Sequence, residues 1–139
     1  MKALVVYSSK TGTTEKMASQ IAAHLAENNM DVKLSSISEV TLKDIEQADR
    51  LYMGTWTSGF MIFGQRPEKE WEKFSSNLPV GIIKRTTLFT TYKLLTGSMF
   101  KNMRRELSYK GLRVERNVLK SKTGILTDVQ KQILTQSLN

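Results

Sequence analysis

The chain has 139 residues, 40% hydrophobic and 24% charged, ordinary proportions for a globular protein large enough to bury one core. It contains no cysteine and one histidine, His24, which excludes disulfides, thiol redox chemistry and cysteine-ligated clusters and leaves too few ligands for a histidine-based metal site, so any redox chemistry needs a bound organic cofactor. The net charge of +8 is concentrated, with eleven Lys or Arg against two Asp or Glu in residues 84–122, a balance that attracts acidic proteins, nucleic acid, anionic membrane surfaces or polyanionic small molecules.

Along the chain the hydrophobic period alternates between strand and helix. Residues 3–7 are a continuous apolar run, as expected of a strand buried on both faces. Met17, Ala18, Ile21, Ala22 and Leu25 recur at helical spacing and predict a helix over 13–28, stopped by Asn28-Asn29. His24, near its end, is expected at the surface. Residues 31–37 predict a second strand, Leu42 to Ala48 a short helix, and Arg50 to Gly54 a third strand. A long loop rich in glycine and aromatics is expected from Thr55 to Arg66. Pro67, followed by Glu68 and Glu70, marks the start of a helix whose Trp71 and Phe74 face the core.

Thr86 to Thr91 predicts a fourth strand. Ser98 should cap a helix with Phe100, Met103 and Leu107 on one stripe and Lys101, Arg104 and Arg105 on another, ended by Gly111. Leu112 to Leu119 predicts a fifth strand, and Thr127 with Gln130 a capping box before the last helix. Five strands interleaved with helices imply an α/β domain over 1–139, built on a doubly wound parallel sheet. No apolar run approaches the roughly 20 residues that span a bilayer. Met1-Lys2 leads into only five apolar residues, too few for a signal peptide, so a cytoplasmic location is expected.

The segment Leu4-Val5-Val6-Tyr7-Ser8-Ser9-Lys10-Thr11-Gly12-Thr13-Thr14 is the most informative. A buried strand runs into a hydroxyl-rich loop that opens directly into a helix. Such a loop can turn backbone N–H groups and the hydroxyls of Ser8, Ser9, Thr11, Thr13 and Thr14 toward an anion at the positive end of the helix dipole. Hydroxyl donors with little positive charge suit a phosphate monoester better than a triphosphate with magnesium. The spacing is neither that of the P-loop nor that of the dinucleotide-binding glycine fingerprint.

Val5 to Thr14 resembles the FMN phosphate loop of the flavodoxins: an apolar strand, an aromatic, then hydroxyl residues around Thr-Gly-x-Thr. The resemblance implies a flavodoxin-like three-layer sandwich, a five-stranded parallel sheet of order 2-1-3-4-5 with helices on both faces. In that order the loops after strands one, three and four converge at the carboxyl edge of the sheet, where ligands of open α/β sheets bind. The implied FMN-binding residues are Ser8, Ser9, Lys10, Thr11, Gly12, Thr13 and Thr14; Thr55, Trp56, Thr57, Ser58 and Gly59; and Thr91, Tyr92, Lys93, Thr96 and Gly97. Trp56 and Tyr92 would wall the flavin ring, although each could instead be a packed loop anchor. Thr57 or Ser58 would serve the ribityl chain or the ring edge. Gly59 is the candidate for a peptide that flips to accept a hydrogen bond from the flavin N5, since glycine tolerates both backbone states. Tyr7 is expected to pack beneath the loop.

Two departures from the family stand out. The loop Thr91-Tyr92-Lys93-Leu94-Leu95-Thr96-Gly97 lacks the common Gly-Thr-Gly-Asp form. Strongly reducing flavodoxins also carry carboxylates around the flavin, whereas no Asp or Glu lies between Arg50 and Pro67 or between Thr86 and Arg105. Cations such as Lys93 imply a less negative potential for the flavin's second electron. The favoured expectation is an FMN-binding electron carrier serving a redox partner with an acidic face. The alternatives are a flavin-dependent oxidoreductase acting on a quinone, a tetrapyrrole or another small anion, for which the basic oxygen-independent protoporphyrinogen oxidases are a precedent, and a ribonucleotide-reductase activating flavoprotein. A signalling receiver domain would need acids where Ser8-Ser9 and Gly54-Thr55 stand, and no DNA- or RNA-binding motif is present.

Overall fold

A computed structural model describes residues 1–10, 12–58, 66–67, 69–92 and 99–138, with side chains for all of these but 57, 58, 66, 67 and 99. In chain order the elements are β1 (Lys2–Tyr7), α1 (Thr13–Glu27), β2 (Asp31–Ser36), α2 (Leu42–Gln47), β3 (Arg50–Ser58), β4 (Arg66–Pro67), α3 (Lys69–Ser76), β5 (Arg85–Thr91), α4 (Met99–Tyr109), β6 (Arg113–Val114), β7 (Leu119–Ser121) and α5 (Asp128–Gln136). The sheet runs β2-β1-β3-β5-β6, with β7 also on β5 and β4 on β3. Every pairing is parallel except β3 with β4. With β5 as the fourth strand and β6 plus β7 as the fifth, this is the expected 2-1-3-4-5 order.

Strand alternation divides the core in two. Leu4, Val6, Leu51, Met53 and Leu88 face Ile45, Trp71, Met103 and Leu107 of α2, α3 and α4. Ala3, Val5, Tyr52, Phe89 and Leu119 face Met17, Ile21 and Leu25 of α1 and Leu134 of α5. Both faces of β1 are therefore dry, which is why its sequence is an unbroken apolar run. Each fully buried large side chain contributes about 1.5–3 kcal/mol relative to exposure. Trp71 is fully buried, with the Phe74 ring 5.5 Å away between centroids. Half-buried His24 meets Thr135 Oγ1 at 2.8 Å, tying α1 to α5.

Two expectations need correction. The third strand does not stop at Gly54. Thr55 and Trp56 continue the pairing opposite Thr90 and Thr91, and Thr57 and Ser58 pair antiparallel with Pro67 and Arg66. Thr-Trp-Thr-Ser suits a pleated surface, and Pro67 takes an edge position, where its missing N–H costs little; α3 accordingly begins at Lys69 rather than at the proline. The fifth strand is broken: between its two pairings three steps on β5, Thr86 to Phe89, span five on its partner, Val114 to Leu119. The Arg104 guanidinium donates to the carbonyls of Glu115 (2.9 Å) and Arg116 (3.2 Å) in the interval between the two pairings. Ser98, the expected cap of α4, lies outside the described residues.

Candidate functional site

β1 delivers its chain to the carboxyl edge of the sheet and turns it into α1 within a few residues. The Ser8 N–H donates to the Gly54 carbonyl at 3.0 Å, stitching the loop to β3. Ser9 Oγ accepts from the N–H of Gly12 at 3.0 Å and, more weakly, of Glu15 at 3.3 Å, leaving its own proton to donate outward. The N-cap of α1 is Gly12, left-handed with φ 91°, and it offers no side-chain cap. Gly12 places no side chain over the helix start, where Ser9 Oγ takes the Glu15 N–H, and such an end suits an anion.

The hydroxyls do not all converge. Thr14 is buried, and its Oγ1 lies 2.5 Å from Oγ1 of buried Thr91, joining the first turn of α1 to the end of β5. This contact ties the helix start to the sheet. Thr13 begins α1 beside them, while Thr11 lies outside the described residues. Tyr7 OH donates to Glu15 at 3.1 Å. Burial first, then the hydrogen bond and charge of Glu15, raise the Tyr7 phenol above its ordinary pKa.

Thr55, Trp56 and Tyr92 come to the same edge. Trp56 sits opposite Thr91 in register, one residue before Tyr92, and both aromatics are half-buried. Thr55 is fully buried, and its Oγ1 has no hydrogen-bond partner among the described residues. Thr57 and Ser58 are backbone members of β3. Gly59, Lys93, Thr96 and Gly97 lie outside the described residues. Lysines attend both aromatics, Lys10 Nζ at 5.3 Å from the Trp56 ring centroid and Lys122 Nζ at 5.7 Å from that of Tyr92.

Lys122 was not among the residues expected at the site. Its signal lay in the strand order: the fifth strand neighbours the fourth, so the turn after it borders the loop after the fourth. That turn is firmly held. The Ser121 carbonyl accepts from Tyr92 N–H at 3.2 Å, and Ser121 Oγ accepts from Gly124 N–H at 2.9 Å and Thr123 N–H at 3.2 Å. Gly124 lies against the first turn of α1, where an added Cβ would come within 2.7 Å of the Thr13 carbonyl oxygen.

The donor set fits FMN, with a glycine-capped helix start for the phosphate, a buried Thr55 hydroxyl that has no partner among the described residues and two aromatics at the sheet edge. Among the described residues no helix is long and apolar enough to cross a membrane.

Comparison with known proteins agrees with this architecture. The flavodoxin family model matches residues 5–115. A flavodoxin from Clostridium beijerinckii is 34% identical over 89 residues, 63% of this chain, and the match spans 62% of that relative's length. The structure of an archaeal flavodoxin superposes with a TM-score of 0.73 at 27% identity, covering 98% of this chain and 92% of its own. Two-electron reduced flavodoxin from Megasphaera elsdenii gives a TM-score of 0.75 at 20% identity over 95% of both chains, a likeness of fold. Flavodoxins bind FMN, and the chain, matched over most of its length in sequence and in strand order, belongs to the flavodoxin family.

Proposed function

We propose that this chain binds FMN at the carboxyl edge of its sheet and works as an electron carrier for a partner protein with an acidic face. The observation that carries the reading is the meeting, at one edge, of the glycine-capped start of α1, the buried Thr55 hydroxyl without a partner among the described residues, and the aromatics Trp56 and Tyr92. When bound, FMN supplies reversible electron uptake. The protein's own work is to bind and orient it. The Ser9 hydroxyl and the N-terminal turn of α1 would hold the phosphate, with Ser8, Lys10 and Thr11 beside them. Thr55, Thr57 and Ser58 would meet the ribityl chain or ring edge, and Trp56 and Tyr92 would flank the ring and exclude water. Gly59, Lys93, Thr96 and Gly97 complete the proposed set.

The preference for an acidic partner rests on charge. Lys101 in the first turn of α4, Lys120 in β7 and Lys122 after it are exposed toward the carboxyl edge, and no acid lies between Glu115 and Asp128. Opposite potentials steer association and set orientation.

Addition of FMN to the purified protein should produce a perturbed visible flavin spectrum and quench flavin fluorescence at one equivalent. Substitution of Thr13 by Val should weaken binding at least tenfold. The reduced protein should then pass electrons faster to an acidic haem protein than to a basic one of similar potential. Absence of a flavin complex at excess FMN would overturn the reading, and a preference for the basic acceptor would overturn the partner assignment.

A further inference from the structure

We propose that Lys10 and Lys122 act as a cationic bracket, one ammonium on each aromatic of the flavin site, that makes the protein bind reduced FMN in preference to oxidised FMN; the inference rests on the reading of Trp56 and Tyr92 as the walls of that site. The two lysines come from different ends of the sequence, Lys10 from the β1–α1 loop and Lys122 from the turn after β7. They lie at similar distances from a ring, 5.3 Å from the Trp56 centroid and 5.7 Å from the Tyr92 centroid. Ammonium groups at this range are held by the electrons of the ring face.

The backbone beneath each lysine is fixed. Ser9 Oγ gathers the N–H groups of Gly12 and Glu15 behind Lys10. Behind Lys122, Ser121 binds Tyr92, Thr123 and Gly124, and Gly124 is wedged on the Thr13 carbonyl. Neither lysine forms an ion pair among the described residues. The carboxylate nearest Lys10 in sequence, Glu15, accepts the Tyr7 phenol.

Reduction adds negative charge to the flavin. Cations beside the ring, though both lysines are solvent-exposed, stabilise that charge more than they stabilise the neutral oxidised ring. The potential of bound FMN relative to free FMN is set by the ratio of the two affinities, so a bracket of lysines raises it. Carboxylates in the same places would lower it.

The experiment compares wild type, K10Q, K122Q and the double variant, with R113Q as the same charge change at the opposite edge of the sheet. For each, the affinity for oxidised FMN is measured by flavin fluorescence, and the bound potential by anaerobic titration with dithionite. Flavin-dependent quenching of Trp56 fluorescence, taken as the difference from W56F, reports whether the ring lies at Trp56. Each single lysine substitution should lower the ratio of reduced to oxidised affinity about three- to tenfold, where tenfold corresponds to about 30 mV in the two-electron potential. The double variant should lose more than either, and R113Q should stay within about twofold. Normal FMN uptake with Trp56 quenched and the ratio unchanged in the double variant would overturn the bracket alone. No uptake, or uptake without quenching at Trp56, would overturn the site reading and the bracket with it.

Discussion

Gly54 shows how closely single atoms are constrained beneath the site. A Cβ built there would fall 2.2 Å from the Phe89 ring, itself fully buried between β5 and the face covered by α1 and α5. Neither ring nor backbone can retreat without disturbing β3 where it passes under the Ser8 hydrogen bond. Gly54→Ala should therefore cost about 1–3 kcal/mol, the range for overpacking a well-filled core, measured as a lower urea midpoint at unchanged m-value. A midpoint equal to wild type would show that Phe89 has somewhere to go. The residue scale is also where sequence reading divides most sharply. Ser9 and Gly12 make their contacts within their own loop, where local pattern is legible. The Thr14–Thr91 contact joins residues 77 apart in sequence, and no local rule reports a partner at that distance.

Short elements depend on their ends. α2 has six residues, too few to persist through backbone hydrogen bonds alone. It is held by a capping box in which Thr41 Oγ1 accepts from Asp44 N–H at 3.1 Å and the Asp44 carboxylate accepts from Thr41 N–H at 3.0 Å. Lys33 of β2 adds a contact to that carboxylate at 2.8 Å, and Lys84 donates to the carbonyls of Glu46 and Ala48 at the other end. The Lys33 hydrogen bond first, then the Thr41 backbone, lower the Asp44 pKa from the ordinary 3.8 to about 2. A carboxylate held lower in the folded state adds stability that is complete above the unfolded value and disappears as pH falls through the folded one. The gap in unfolding midpoint between wild type and D44N should be constant near pH 6 and close between about pH 4 and 2. A gap that persists at pH 2 would assign the effect of D44N to the cap's shape instead of its charge. At this scale the sequence was legible where signals were local, in the Thr127–Gln130 capping box, the stop after α1 and the order of elements; the Thr41–Asp44 box is a structural finding. It failed at β3 and in the fifth strand, whose ends are decided by neighbours. β3 lengthens because β5 and β4 are there to pair with it, and the fifth strand is interrupted where Arg104, from a separate element, bonds the carbonyls of Glu115 and Arg116.

Across the whole molecule, the basic segment that composition presents as one patch is two populations. Lys84, Arg85, Arg104 and Lys110 are spent internally, Arg85 on Glu115 and the others on backbone carbonyls. The parallel sheet then sorts the rest. Arg113 begins β6 at the amino edge, whereas Lys101, Lys120 and Lys122 fall toward the carboxyl edge that carries the candidate site. Composition alone could not separate these groups, because the chain returns to each edge more than once as it crosses the sheet. A partner that exchanges electrons through the site should respond only to the carboxyl-edge group. Replacement of Lys101 and Lys120 by Glu should slow association with an acidic redox protein about tenfold at low ionic strength and flatten its salt dependence, since steering falls with charge product and is screened within roughly 10 Å at 0.1 M salt. Replacement of Lys2 and Arg113, exposed at the amino edge, removes the same formal charge and should change the rate by less than about twofold. Stopped-flow rates over a salt series would decide the matter. Equal slowing by both pairs would mean that net charge alone does the steering, and that the carboxyl edge is not where the partner docks.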